Sequence, residues 1–194
     1  MANPIQQKSV FREYAESLFV ALVLALIIRT FFLQAFKIPT GSMQPTLMVG
    51  DRILVDKVRY GIKIPFTHWR LPAVQEPQRG DVVVFEAPDE SHRDFIKRLI
   101  AVGGDEVEIR DLHVWVNGRP LSDPPILREI FYYNRGPFGQ GGRPVKVPPG
   151  CYFFLGDNSG SSKDSRYWGF LPKDKIVGRA FVIYLPLRRI RWIR

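Results

Sequence analysis

The chain has 194 residues, 45% of them hydrophobic and 24% charged, with 28 Lys and Arg against 19 Asp and Glu for a net charge of +9. That hydrophobic share excludes a disordered chain, and the length holds one sizeable globular domain or two small ones sharing a core. The single cysteine, Cys151, excludes an intramolecular disulfide, and His68, His92 and His113 stand far apart without a paired carboxylate motif, so the expectation is a protein without a metal or other cofactor.

A short tail, residues 1–14, precedes the first element. Residues 18–28 contain no polar side chain, and the apolar pattern resumes after Arg29 and Thr30. A helix over 15–36 is about 33 Å long at roughly 1.5 Å per residue, enough to cross a hydrocarbon core of roughly 30 Å. A cleavable signal peptide shares such an apolar run, but Leu33-Gln34-Ala35 is a poor small-x-small site and Phe36-Lys37 follows it. A buried helix of a soluble protein is the other reading, and a surface helix would need the polar stripe that 18–28 lacks. Arg29 lies near the end of the run, where its guanidinium reaches headgroups, so the chain leaves the membrane near 31–36. Lys8 and Arg12 flank the run but are offset by Glu13 and Glu16, so charge alone fixes the orientation weakly.

Beyond Thr40 the pattern is strand and turn. Residues 51–58 and 81–85 are short β-rich runs that each follow a Gly, and 100–102 and 106–109 flank the turn Gly103-Gly104-Asp105. His113-Val114-Trp115-Val116 runs into Asn117-Gly118, a hairpin signal. Residues 124–142, rich in Gly and Pro, read as a long excursion, and 151–155 and 176–185 close the sheet. The expected fold is mainly β, with one N-terminal helix and an antiparallel domain over 37–194. Net charge of +9 suggests an anionic partner, nucleic acid or a lipid surface. Arg188, Arg189, Arg191 and Arg194, interleaved with Ile190, Trp192 and Ile193, make the tail look either interfacial or frayed.

The chemistry lies in two of these segments. Ser42 sits in Ile38-Pro39-Thr40-Gly41-Ser42-Met43-Gln44-Pro45-Thr46-Leu47, a turn just past the apolar run, and Lys97 sits among apolar neighbours in Asp94-Phe95-Ile96-Lys97-Arg98. A serine in a turn is ordinary, and an exposed lysine is the usual lysine. Together they suit nucleophilic catalysis, because a desolvated lysine in its neutral form can take the hydroxyl proton.

Four segments resemble the bacterial type I signal peptidase family, in the family's order. They are the Ser42 turn; Gly50-Asp51-Arg52-Ile53-Leu54-Val55-Asp56-Lys57; Phe95-Ile96-Lys97-Arg98-Leu99-Ile100-Ala101-Val102-Gly103-Gly104-Asp105; and Gly156-Asp157-Asn158-Ser159-Gly160-Ser161-Ser162-Lys163-Asp164-Ser165-Arg166-Tyr167-Trp168-Gly169. The resemblance implies a membrane-bound endopeptidase that removes signal peptides from exported preproteins after small-x-small sites, anchored in the cytoplasmic membrane by a single span with its catalytic domain on the exported face. It implies Ser42 as nucleophile and Lys97 as general base, with Thr40 and the Ser42 backbone N–H as oxyanion donors. Ser162 is implied to position the lysine, although Ser159, Ser161 and Ser165 lie close by, and Lys163 is a rival base. Asp164, Arg166 and Asp157 are implied as a salt-bridged support. Phe36, Ile38, Pro39, Ile53, Val84, Phe95 and Ile96 are implied as pocket walls, each also readable as plain core. Residues 106–148 correspond to a β-rich insertion. The implied partners are preproteins and the phospholipid bilayer, not nucleic acid.

Two readings from other classes stand beside this one. A self-cleaving Ser/Lys repressor would need a DNA-binding module where the apolar run 18–28 lies. A membrane-tethered, non-enzymatic β module would leave Ser42 and Lys97 a coincidence.

Overall fold

The structure, a computed structural model, describes residues 10–62, 69–88 and 93–193; residues 1–9, with Lys8, and likewise His68, His92 and Arg194 lie outside them. Helix α1, Val10–Ile27, continues as a wider π-helical turn over Ile28–Phe32. No Gly or Pro interrupts the stretch and Ala and Leu are frequent in it, so its backbone is free to stay helical. Phe11–Phe32 is the one helix among the described residues long and apolar enough to cross a membrane, with a mean hydropathy of 2.0 and side chains exposed along it up to the half-buried Thr30 and Phe31.

The helix stops at Phe32, short of the expected end at Phe36. Leu33–Lys37 alternate exposed and half-buried, which is the period of a strand, and they pair antiparallel with Arg52–Asp56. The carbonyls left open at the helix end find donors in the residue that follows this partner. Lys57 gives its backbone N–H to the Phe32 carbonyl at 3.0 Å and its Nζ to the Thr30 carbonyl at 2.8 Å. Helix and domain are therefore joined without a spacer.

The domain is mainly β. Its strands are β1 (Leu33–Lys37), β2 (Arg52–Asp56), β3 (Val82–Glu86), β4 (Asp94–Val102), β5 (Glu106–Arg110), β6 (His113–Val116), β7 (Arg119–Pro120), β8 (Val145–Lys146), β9 (Cys151–Leu155), β10 (Leu171–Pro172), β11 (Ile176–Leu185) and β12 (Arg191–Trp192). One antiparallel sheet runs β1-β2-β11-β3-β4-β9-β10, with β12 added to β11, and a smaller one runs β7-β6-β5-β8. Asn117 and Gly118 take φ of 53° and 74° and turn β6 into β7, the left-handed pair that an Asn-Gly hairpin requires.

Two apolar clusters matter for the site. Ile38, Met43, Leu47, Ile53, Val55, Val82 and Val84 pack together beneath the Ser42 turn, with Phe36 and Ile96 at their margin. The small sheet shares its core with the large one, since Val107, Ile109, Val114 and Val116 pack with Ile100, Phe153 and Leu155. Cys151 is half-buried at the edge of that second cluster.

Candidate active site

The turn carrying Ser42 is built by its neighbours. Met43 and Leu47 are fully buried and pin the segment to the core, while Gln44 N–H bonds the Gly41 carbonyl and Leu47 N–H bonds the Met43 carbonyl. Ser42 is held between them, 9% exposed. Lys97 lies on β4 opposite Val83 of β3 and is 5% exposed. Its Nζ is 2.6 Å from Ser42 Oγ and 5.8 Å from the centroid of the Phe95 ring.

Burial dominates the electrostatics of that amine. Desolvation pushes Lys97 down from the ordinary 10.5 to about 8; the carboxylates of Asp164 and Asp157 pull it up, and the Arg166 guanidinium pushes it down further. An amine so placed is neutral in about one molecule in ten at pH 7, where a free lysine is almost wholly charged. Lys163 is exposed.

Two buried ion pairs frame these groups. Asp164 and Arg166 are both fully buried and bonded side by side, Nε to Oδ1 at 2.8 Å and Nη2 to Oδ2 at 2.8 Å. Arg166 Nη1 also reaches the Tyr133 carbonyl and Ser159 Oγ, and Asp164 Oδ2 accepts the Gly156 N–H at 3.0 Å. Arg98, which sequence reasoning left out, makes the second pair. Its Nε and Nη2 meet the Asp157 carboxylate at 2.9 and 2.6 Å, and Nη1 reaches the Gly80 carbonyl at 2.8 Å. The Thr46 hydroxyl donates to the same carboxylate. This second pair therefore ties the strand of Lys97, the loop of Asp157 and the turn of Ser42 together.

Among the serines, Ser162 is buried, and among the described residues its Oγ has no hydrogen-bond partner, Lys97 included. Lys97 Nζ is turned to Ser42 instead, and Ser162 Oγ lies against Gly156. A Cβ at Gly156 would collide with the Ser162 hydroxyl and stand 2.5 Å from the Ser42 carbonyl oxygen, so only glycine lets this loop approach the turn. Ser159 Oγ and Ser165 Oγ accept the backbone N–H groups of Tyr133 and Phe154, and Ser161 is exposed.

Asn158 and the C-terminal strand were also missed from the sequence. Asn158 Nδ2 donates to the Gly41 carbonyl and its backbone N–H to the Ser42 carbonyl, each at 3.0 Å. Arg189 grips Asp51 through two bonds of 2.8 and 2.9 Å, and Arg191 Nη2 reaches the Thr46 carbonyl at 2.6 Å. These arginines lie 138 and 145 positions along the chain from their partners, a distance at which local pattern carries no signal. Leu187, Ile190 and Trp192 beside them are exposed.

Thr40 and Pro39 are exposed on the approach to Ser42. Of the expected wall residues, Ile38, Ile53 and Val84 are 2%, 0% and 2% exposed, within the core cluster under the turn. Phe36 and Ile96 are half-buried at that cluster's edge, and Phe95 packs with the Phe85 cluster instead. β9 pairs with β4 from Arg98 onward, so among the described residues Phe95 and Ile96 have a strand partner on the β3 side alone.

A family model described as "Signal peptidase, peptidase S26" matches residues 11–185 of the chain. Curated relatives agree. The chain is 36% identical to "Signal peptidase I" of Pseudomonas fluorescens over 89% of its own length and 72% of the relative's. It is 39% identical to "Probable signal peptidase I-2" of Synechocystis sp., over 92% and 75%, and 37% identical to "Signal peptidase I" of Leptolyngbya laminosa, over 97% and 87%.

Proposed function

From the premise that the chain belongs to the peptidase S26 signal peptidases, an endopeptidase family that removes signal peptides, we propose that Ser42 is the nucleophile and Lys97 its general base. The observation that carries this assignment is the 2.6 Å contact between Lys97 Nζ and Ser42 Oγ in a site where burial keeps the amine near 8. The neutral amine takes the hydroxyl proton as Oγ bonds the scissile carbonyl carbon, and the carbonyl oxygen becomes an oxyanion. Collapse of that adduct breaks the C–N bond; the leaving nitrogen takes its proton from the Lys97 ammonium, and an ester on Ser42 remains. Lys97 then draws a proton from water as its oxygen attacks the ester, and Ser42 leaves with that proton. The Ser42 N–H and the Thr40 hydroxyl are the donors for the oxyanion in both halves.

The substrate is an extended preprotein segment with small residues at the first and third positions before the cut. The uncovered side of β4 at Phe95 and Ile96, next to Lys97, suits strand addition by such a segment. The half-buried Phe36 and Ile96, packed over Ile38, Ile53 and Val84, are the surface that would meet the small side chains of the substrate. The helix Phe11–Phe32 serves as a single span with the β domain on the exported face, and Leu187, Ile190 and Trp192 offer a lipid-facing edge.

The test is incubation of the detergent-solubilised chain with a preprotein bearing an Ala-x-Ala site, reading the new N-terminus of the product. Ser42→Ala and Lys97→Arg each remove turnover, the latter because a guanidinium does not deprotonate in proteins. Turnover retained in either variant overturns the assignment.

A further inference from the structure

We infer that Asn158 is a positioning residue for the oxyanion donor: its side-chain amide sets the tilt of the peptide unit between Gly41 and Ser42, and with it the direction of the Ser42 N–H. The inference rests on the reading of Ser42 as nucleophile.

The geometry is that of one rigid plate. The Gly41 carbonyl and the Ser42 N–H belong to the same planar trans unit and point in opposite directions. A hydrogen bond that fixes the oxygen therefore fixes the hydrogen. Asn158 Nδ2 supplies that bond at 3.0 Å, and only the amide nitrogen of an Asn can face a carbonyl oxygen. The other bond to the Gly41 oxygen is the turn's own, from Gln44 N–H, and is longer at 3.2 Å.

This plate needs an outside brace because Gly41 has no Cβ to limit its rotation. A side chain there would crowd the Gln44 amide, whose atoms would lie 3.1 to 3.3 Å from the added carbon. Stiffness therefore comes from across the site. The backbone N–H of Asn158 holds the next unit as well, through the Ser42 carbonyl at 3.0 Å. One residue thus grips the peptide planes on both sides of the Ser42 α-carbon. Asn158 is itself fixed, since the preceding Asp157 is locked to Arg98, the neighbour of Lys97. The loop that sets the tilt of the oxyanion donor is tied to the strand that carries the base.

Asn158→Ala separates the two grips, because it deletes the amide and keeps the backbone N–H on Ser42. Removing a preorganised oxyanion donor outright costs about 100-fold to 1,000-fold in kcat, so freeing its orientation should cost about tenfold to 100-fold, with KM within about twofold. Asn158→Asp should lose at least as much, since a carboxylate oxygen repels the Gly41 carbonyl. The discriminating probe is a pair of signal-sequence peptides ending at the cleavage site, one as the aldehyde and one as the alcohol. Ser42 adds to the aldehyde, its proton passing to Lys97, and leaves an oxyanion in the site; the alcohol forms no adduct.

Inhibition by the aldehyde should weaken in Asn158→Ala by the same factor as kcat. Inhibition by the alcohol, the melting temperature and the pH midpoint of the rate should stay as in the unaltered chain. An unchanged kcat overturns the inference. So does equal weakening of both peptides with a lowered melting temperature, because that is plain loss of the loop. Failure of the underlying reading looks different: Ser42→Ala would then bind the aldehyde as tightly as the unaltered chain does.

Discussion

Replacing Lys97 with methionine puts an uncharged side chain of similar length where a buried amine now lies, and it should stabilise the fold while ending catalysis. Burial holds the amine at about 8 against 10.5 for a free lysine. At about 1.4 kcal/mol per pH unit, the folded chain carries a handicap of about 3 kcal/mol wherever it must protonate that amine and the unfolded chain does so freely. The handicap is complete below pH 8, fades between about 8 and 10.5, and is absent above, where both states hold the neutral form. Methionine also forfeits the bond to Ser42 Oγ, worth about 1 kcal/mol. The net gain at pH 6 is then about 2 kcal/mol, or about 4–8 °C in melting temperature for a domain of this size. Tryptophan fluorescence during heating in detergent at pH 6 and pH 9.5 reads the difference. A gain at pH 6 that nearly vanishes at pH 9.5 is the expected result. No gain at pH 6, or the same gain at both, refutes the desolvation of Lys97 and the mechanism built on it.

The same amine should give kcat/KM an acid limb that rises with pH and levels above about 8, and a profile flat from pH 6 to 9 would remove Lys97 as the base. Thr40→Ser should keep most activity and Thr40→Val should lose about 100-fold; equal rates would take the hydroxyl out of the oxyanion site. Asp157→Ala strands the Arg98 guanidinium in the core and should cost about 3–5 kcal/mol, measured by denaturant unfolding, with a loss under about 1 kcal/mol counting against the buried pair. Gly156→Ala should lower stability by about 1–3 kcal/mol and slow turnover, because the added methyl meets Ser162 and the Ser42 carbonyl; activity and melting temperature as in the unaltered chain would show that the loop gives way freely.

What could be read from the sequence was local. The Asn117-Gly118 hairpin, the strands around Ile53 and Val83 and the uninterrupted apolar run each rest on signals a few residues wide. The helix end was misjudged because Leu33 and Phe36 continue the apolar run; what converts them to strand is pairing with Arg52–Asp56, which no local window contains. The partners of Arg98, Asn158, Arg189 and Arg191 (Asp157, Gly41, Asp51 and Thr46) are likewise beyond any local window, and only the folded sheet and its loops bring them together. Ser42 and Lys97 suited nucleophilic catalysis on residue type, but the resemblance was needed to set that above the ordinary turn serine and exposed lysine, since nothing in the run around Lys97 distinguishes a desolvated amine from a solvated one. The resemblance carries the identity of Ser162 but not the rotation of its side chain, and here its Oγ is not turned to Lys97.

The seam between helix and sheet has a mechanical consequence. Leu33 enters β1 directly after Phe32, and Lys57 clips the last turn of the helix to β2 by side chain and backbone alike. Such a joint acts as a ruler. Ser42 lies ten residues beyond the end of the helix at Phe32, and the joint ties the start of that stretch to β2. On the proposed reading of the helix as a membrane span, a substrate held in the same bilayer would be measured against that joint, and the bond cut would depend on its distance from the membrane as well as on the side chains beside it.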